Sequence, residues 1–585
     1  MGRTAVYCMY SASCRSAHLM TSGPAYKNTP EQQAVVDAAV DGQNIAVQAC
    51  AGAGKTSTLI AVANAIGSRR SMLYLAYNTA LAKEGEKKFP PGLVLSKTTH
   101  GLAYGPMCGY RGAVWPGQKP GNATGRRVAD VLGLRPATFE TRTIPAPSIG
   151  YMVIATIAAW CHSADVRLGP QHFRLGKWAD VLIPPEAAIL RETVVPAAAE
   201  LAERLLPERE RGDKAYRGNQ ITDLPFTHDM YLKQYVRMVV AGRVAPPREQ
   251  LIMVDEFQDS NALILQLVRH LASLGRQIIA VGDPFQQIYE WRGSVDALSQ
   301  VEVDQRLRLR QSFRFGPETA HVANAWLRQS FGLEEDLVFG NPAKSTPVAR
   351  SLRLPEATMI LCRNNKSVAE HAVVLSDAGM TVLLPKGQDV AREIGDIETL
   401  RNGGTPSPNS DYAIFSSFDE LMEHAESDDG KRIKTLLKLM DTHGAATLID
   451  KMKAAGDAYR AGRKDGIVIC TGHASKGLES ARVLLDTDFN PRKARKDCDD
   501  EEIEGSGMTD EDARVLYVAM TRAQEINDLS RVEVLGPLIE HVAGTRPSPH
   551  VAAEPVTQPP DTPKKKRSRV SPKKPKRGEA YPLPW

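Results

Sequence analysis

The stretch Gln48-Ala-Cys-Ala-Gly-Ala-Gly-Lys-Thr56 constrains this chain more than any other. An apolar run, Asn44-Ile-Ala-Val-Gln48, precedes it, and a helix-like run, Ser57-Thr-Leu-Ile-Ala-Val-Ala-Asn-Ala-Ile66, follows. Strand, glycine-rich turn and helix in that order is the layout of a phosphate-binding loop. Gly52 and Gly54 admit backbone conformations closed to residues with a Cβ. The loop Ala49, Cys50, Ala51, Gly52, Ala53 and Gly54 can therefore turn its N–H groups toward phosphate oxygens at the positive end of the helix. In such a loop Lys55 reaches the β and γ phosphates and the Thr56 hydroxyl holds Mg²⁺. Ala49 stands where the pattern G-x-x-x-x-G-K-T has its first glycine.

The rest of the chain fits a large α/β protein around that loop. Its 585 residues suffice for several domains. No apolar run approaches the about 20 residues of a membrane span. Residues 1–27 lack a secretory apolar region and are read as a disordered leader. None of the eight cysteines forms a C-x-x-C pair, and Cys50, Cys362 and Cys470 fall in or beside apolar strands. That spacing argues for free thiols in a reducing compartment, and against zinc or a disulfide framework. The net charge of +5 is a local matter, because residues 564–577 carry nine Lys or Arg. Without them 64 basic and 68 acidic residues remain, so any grip on nucleic acid by the body depends on local placement.

Strand and helix alternate over residues 28–104: Met72–Ala76 and Leu93–Leu95 read as strands and Thr79–Lys88 as a helix. Residues 105–247 read as a helical insertion, with helices such as Pro196–Leu206 and His228–Val240. The rhythm resumes at Leu251–Val254 and Gln277–Val281, and a second α/β block carries Met359–Cys362, Gly466–Cys470 and Val483–Leu485. Residues 386–465 look inserted within that block, and from Thr545 the chain is Pro-rich, basic and read as disordered.

Two further stretches follow strands. In Val254-Asp-Glu-Phe-Gln-Asp-Ser260 the carboxylates face the crevice where parallel sheets bind ligands. Asp255 suits Mg²⁺ through water, and Glu256 suits a general base for the attacking water. Gly282-Asp-Pro-Phe-Gln-Gln-Ile-Tyr-Glu-Trp-Arg-Gly293 joins a phosphate-sensing candidate, Gln286, to Tyr289 and Trp291, whose rings can stack on unpaired bases. Arg314 and Arg522 are candidate arginine fingers.

Taken in order, these blocks resemble a superfamily 1A DNA helicase of the UvrD/Rep type. Asn28–Gln33 resembles the Q motif, with Gln32 at the adenine-reading position, and the loop ending Lys55-Thr56 resembles motif I. Ala76–Ala80, Thr98–His100, Asp255–Gln258, Gln286–Arg292, Ser312–Arg314, Thr471–Glu479 and Tyr517–Ala523 resemble motifs Ia, Ib and II to VI. Tyr77-Asn78 with Thr99-His100, and His228–Lys233, look nearest the F-box DNA helicase branch, although no F-box is evident ahead of the motor.

The resemblance implies two RecA-like parallel-sheet P-loop domains with helical insertions. The boundaries expected are 28–104 and 248–312 for 1A, 105–247 for 1B, 313–385 and 466–544 for 2A, and 386–465 for a reduced 2B. Residues 545–585 form the basic tail. ATP and Mg²⁺ are implied, with Phe313 on adenine, Gln258 and Gln286 at the γ-phosphate, and Glu479 at ribose or nucleotide across the cleft. Asn78, Thr99, His100, Tyr289, Trp291, Arg363 and His473 would contact single-stranded or junction DNA. The expected activity is 3′→5′ unwinding in replication, repair or recombination, by a monomer or a DNA-induced assembly in the cytoplasm or nucleoid. The rivals are a translocase that strips proteins from DNA and a DNA-binding protein on a dead motor. Pro563–Val570 resembles a nuclear localisation signal and is read first as a basic arm adding DNA affinity, with the tail as a possible dock for a replication or repair protein.

Overall fold

The computed structural model of the protein describes residues 27–109, 120–140, 142–179, 181–206, 224–288, 293–348, 350–407, 410–415, 417–426, 431–490 and 508–544. Residues 1–26, the charged loop after Asn490 and the tail from Thr545 lie outside the described residues. Tyr289 and Trp291 lie outside them too.

Six parallel strands form the first sheet. They are β1 (Ile45–Ala49), β2 (Met72–Ala76), β3 (Val94–Thr98) and, after the small hairpin β4 (Ala137–Thr138) and β5 (Thr143–Ile144), β6 (Leu251–Val254), β7 (Gln277–Gly282) and β8 (Gln305–Leu309). The order is β3-β2-β6-β7-β1-β8. The second sheet holds β9 (Met359–Cys362), β10 (Val382–Leu383), β11 (Ile467–Thr471), β12 (Ser480–Leu485) and β13 (Ala523–Asp528), in the order β10-β11-β9-β12-β13. Every pairing in both sheets is parallel. The α/β class and its two parallel sheets thus stand as the sequence implies.

Side chains alternate across a strand, and here each face has its own cover. Ile45, Val47, Met72, Tyr74, Met253 and Ile279 join one core with the helices Pro30–Val40 and Lys55–Ile66. Leu73, Leu75, Ile252, Val254, Ile278 and Ala280 join another with the helices Ala146–His162, Pro184–Leu205 and His228–Val240. The helices of the expected insertion therefore roof one face of the first sheet. Likewise the helices Gly387–Arg401, Lys431–His443 and Ala445–Arg460, between β10 and β11, share a core with Ile360, Ile469 and Leu484 of the second sheet.

Two differences from the sequence reading have physical causes. The helix expected to start at Pro196 starts at Pro184, and Pro196 sits inside it. Packing of Leu190, Val194, Ala198 and Leu201 into the roof offsets the hydrogen bond that a proline cannot make. Strands β8, β10 and β13 were not expected, and all three are sheet edges. β8 and β13 mix polar with apolar residues, as an edge paired on one side can, and β10 has only two residues, so none gives a long apolar run. Gln305-Arg-Leu-Arg-Leu309 is such a sequence.

Candidate nucleotide site and nucleic-acid path

The loop after β1 turns where its glycines permit. Gly52 and Gly54 have φ of 75° and 77°, the left-handed region that favours glycine. Ala49 is the last residue of β1 and fully buried, so extended backbone serves there and no glycine is needed. A Cβ on Gly52 would lie 2.7 Å from both Arg314 Cβ and Ser312 Oγ. Phe313 N donates to Gly52 O at 2.9 Å. A Cβ on Gly54 would meet Gln32 Nε2 at 3.1 Å and the Phe313 ring at 3.5 Å. Gln32 and Phe313 thus flank the loop, and the segment 312–314 lies directly against it. Cys50, Ala51 and Ala53 are buried beneath, with Cys50 Sγ 3.1 Å from Arg310 O.

Acidic groups from β6 face the start of the helix Lys55–Ile66. Lys55 Nζ pairs with Glu256 Oε1 at 3.0 Å. Thr56 Oγ1 lies 3.4 Å from Asp255 Oδ2, which also accepts from the Tyr74 hydroxyl at 2.8 Å. Glu256 has φ 52°, the one positive φ outside glycine among the described residues, a conformation that carries strain and turns its carboxylate into the cleft. Gln258 Nε2 donates to Glu256 Oε2 at 2.6 Å, and Gln258 Oε1 accepts from Asp283 N at 3.0 Å. Burial pushes the Glu256 carboxyl up, but Lys55, Lys476 and the Gln258 hydrogen bond outweigh it and hold it at about 2. Asp255, buried beside Glu256, is pushed up.

The segment after β8 supplies one arginine of the cleft, and the second sheet the other. Arg522 follows the helix Asp510–Met520 and is 1% exposed. Its guanidinium donates to Val518 O at 2.7 Å, Thr521 Oγ1 at 3.1 Å and Gln286 Oε1 at 3.3 Å, all neutral oxygens. Burial, and then the neighbouring Arg314, bring its pKa down to about 9. Arg314 Nε donates to Glu479 Oε2 at 2.8 Å and Nη1 to Thr521 O at 2.9 Å. Glu479, read as a ribose contact, here holds Arg314 and accepts from Gln524 at 2.9 Å.

Several residues within the quoted motifs carry contacts that the sequence reading did not assign. Lys476 Nζ reaches across from the second sheet to Asp259 Oδ2 and the Gln286 carbonyl, both at 2.5 Å. Burial raises Asp259 to about 6 despite Lys476, and its Oδ1 is buried without a partner. Asp283 accepts from Gln286 Nε2 at 2.6 Å and from the Tyr517 hydroxyl at 3.4 Å. Their motif positions were visible, but only folding shows which side chain each one meets.

The residues read as a DNA path fall into two groups. Asn78, Thr99 and His100 line a cavity of about 500 Å³ that reaches Asp255 and Asp259. Asn78 also caps the helix Thr79–Lys88, its Oδ1 accepting from Leu81 N at 2.9 Å. Asp229 bridges His100 and His162 at 3.2 and 3.3 Å. Arg363 and His473 do not line this cavity. They pair with consecutive acids of one helical turn, Arg363 with Asp512 at 2.5 Å and His473 with Glu511 at 3.3 Å.

A glycine cradle too tight for a Cβ, a hydroxyl and carboxylate side by side at Thr56 and Asp255, and a buried guanidinium with only neutral partners fit a nucleotide triphosphate with a divalent cation. Two parallel sheets meeting at such a site define a P-loop protein of the paired RecA-like kind.

Within that class, the family model for the UvrD/REP helicase N-terminal domain matches residues 237–303, and that for the UvrD-like helicase C-terminal domain matches residues 411–528. Both segments match models of UvrD/Rep-type helicases, the family that the chain resembles. F-box DNA helicase 1 of Gallus gallus is 28% identical over 543 residues, covering 88% of this chain and 50% of that protein. F-box DNA helicase protein 1 of Schizosaccharomyces pombe is 25% identical over 530 residues, covering 85% and 56%. DNA helicase II of Escherichia coli is 30% identical over 142 residues, 21% of this chain and 19% of that protein. The chain spans about half the length of the first two relatives. Among the described residues no helix is long and apolar enough to cross a membrane.

Proposed function

We propose that this protein is an ATP-dependent DNA helicase that moves 3′→5′ along single-stranded DNA and separates duplex. One observation carries the reading: Arg522, just before β13 of the second sheet, lies 3.3 Å from Gln286, just after β7 of the first, over the cleft that holds Lys55 and Glu256. Hydrolysis that needs both sides of a cleft is tied to closure of that cleft.

Lys55, Thr56 and Asp255 hold the nucleotide and Mg²⁺, Gln32 and Phe313 flank the base, and Arg314 and Arg522 stabilise charge on the transferring group. Bound MgATP supplies the phosphoanhydride whose cleavage drives the cycle. Lys55 is engaged with Glu256 at 3.0 Å, so it must release that carboxylate to meet a phosphate. Release removes the main cation holding Glu256 low, and its pKa rises toward that of a useful general base. Lys476 ties Asp259 and the Gln286 carbonyl to the second sheet, a link by which closure reaches the stretch that ends in Tyr289 and Trp291. Asn78, Thr99 and His100 contact the strand on one side and Arg363 and His473 on the other, once Asp512 and Glu511 yield to phosphate. Intact Lys55, Glu256 and Arg522 weigh against a dead motor.

Duplexes with 3′ or 5′ single-stranded tails test this. Preferential unwinding of the 3′-tailed substrate is expected. Preference for the 5′ tail refutes the polarity, and ATP turnover without unwinding of either assigns the protein to the translocase reading. Gly52→Ala provides a second check. Left-handed backbone costs a non-glycine residue about 1–2 kcal/mol, and the new methyl would press on Arg314 and Ser312 at 2.7 Å. Steady-state assays are expected to show kcat/KM for ATP down at least about tenfold.

A further inference from the structure

Beneath the strand ends of the second sheet, three side chains from different elements converge. Cys362 ends β9, His371 lies on the helix Asn365–Asp377, and Asp486 follows β12. One donor atom from each, a thiol sulfur, an imidazole nitrogen and a carboxylate oxygen, lie within 4.8 Å of one another. His371 Nε2 and Asp486 Oδ1 are 3.1 Å apart. Cys362 is fully buried and Asp486 is 8% exposed. The backbone pins two of the three together, because Asp486 N donates to Leu361 O at 2.8 Å.

The pocket is electronegative. Asp488 lies beside it with both oxygens committed, Oδ1 to Arg363 N at 2.7 Å and Oδ2 to Asn364 N and Nδ2 at 3.1 and 2.8 Å. His371 and Arg531 are the basic residues facing Asp486. A dication between them would take the sulfur, the imidazole nitrogen and the carboxylate oxygen as donors at once.

We propose that Cys362, His371 and Asp486 bind one Zn²⁺ ion. Thiolate and imidazole with one carboxylate suit zinc, and the sulfur and nitrogen donors are too soft for Mg²⁺ or Ca²⁺. Ligands sit about 2.0–2.3 Å from zinc, so an ion among the donors would replace the 3.1 Å His371–Asp486 contact with two bonds to the metal, and His371, the least buried of the three, has the most room to shift. The ion clamps β9, the helix Asn365–Asp377 and the segment after β12, which together carry the backbone of Arg363. Cysteine spacing pointed away from zinc because the site has a single cysteine, with a histidine nine residues on and an aspartate far along the chain. The site is independent of the helicase reading.

The test uses the full chain, stripped with a chelator and titrated with CoCl₂ under optical detection. One equivalent of Co²⁺ is expected to give a thiolate-to-cobalt charge-transfer band with visible d–d bands, both bleached by Zn²⁺. C362S should lose the charge-transfer band, and H371Q, a change at a partly exposed position, should weaken Co²⁺ binding at least about tenfold. No charge-transfer band in the wild type, its persistence in C362S, or wild-type affinity in H371Q each overturns the proposal. Far-UV circular dichroism separates loss of the ligand from loss of the fold, and should C362S misfold, H371Q alone decides.

Discussion

Arg522→Ala is expected to lower the DNA-stimulated kcat for ATP about 10³-fold or more, with a smaller change in KM. An arginine that meets charge developing on a transferring phosphoryl group is worth 10³–10⁵ in rate. Arg522 suits that role because its desolvated guanidinium has only neutral partners, Val518 O, Thr521 Oγ1 and Gln286 Oε1 among them. A structural arginine buried to 1% exposure would be expected to pair with a carboxylate. Arg522→Lys should remain severely impaired, since a lysine keeps the charge but not the planar fork. Because truncation also removes buried hydrogen bonds, thermal unfolding of the same variants must accompany the kinetics. A folded Arg522→Ala protein within about tenfold of wild-type kcat would sink the assignment.

Glu256→Gln is the second large effect. We expect kcat to fall by about 10²–10⁴-fold, the range for loss of a general base, while nucleotide and single-stranded DNA still bind. The amide keeps the shape and the left-handed backbone at φ 52° but cannot take a proton. It also leaves Lys55 without the carboxylate that holds it at 3.0 Å, so nucleotide affinity should stay level or rise. Rapid-mix ATPase and equilibrium binding of a fluorescent nucleotide separate the two quantities. Equal loss of binding and turnover would make Glu256 a structural partner of Lys55 instead of a base. Unwinding should fall in step with kcat, since the proposed coupling runs through the same cleft.

Much of this site could be read before the fold was known, because its parts are local. A phosphate loop needs its glycines, lysine and threonine in consecutive positions, and Asp255 and Glu256 directly end a strand. Central strands buried on both faces give the apolar runs that marked β2, β6 and β9. Edge strands β8, β10 and β13 gave no such signal. Pro196 misled for a related reason: a local rule about helix starts yields when a long apolar face packs against a sheet.

Pairings between distant segments were beyond that reading. Nothing near Lys476 in the chain announces that it meets Asp259 and the Gln286 carbonyl. Nor does Arg363 or His473 announce the acids Asp512 and Glu511 that hold them. His100 read as a DNA contact from its motif, yet folding adds Asp229, shared with His162.

By itself the sequence determined the class of fold, the phosphate loop and the acids opposite it, because backbone conformation and strand polarity depend on neighbours in the chain. Which arginine faces which glutamine, which helices roof which sheet and which thiol sits beside a histidine and an aspartate were decided only by tertiary structure. Such contacts depend on packing, where the partner is chosen by shape and buried charge across the whole molecule.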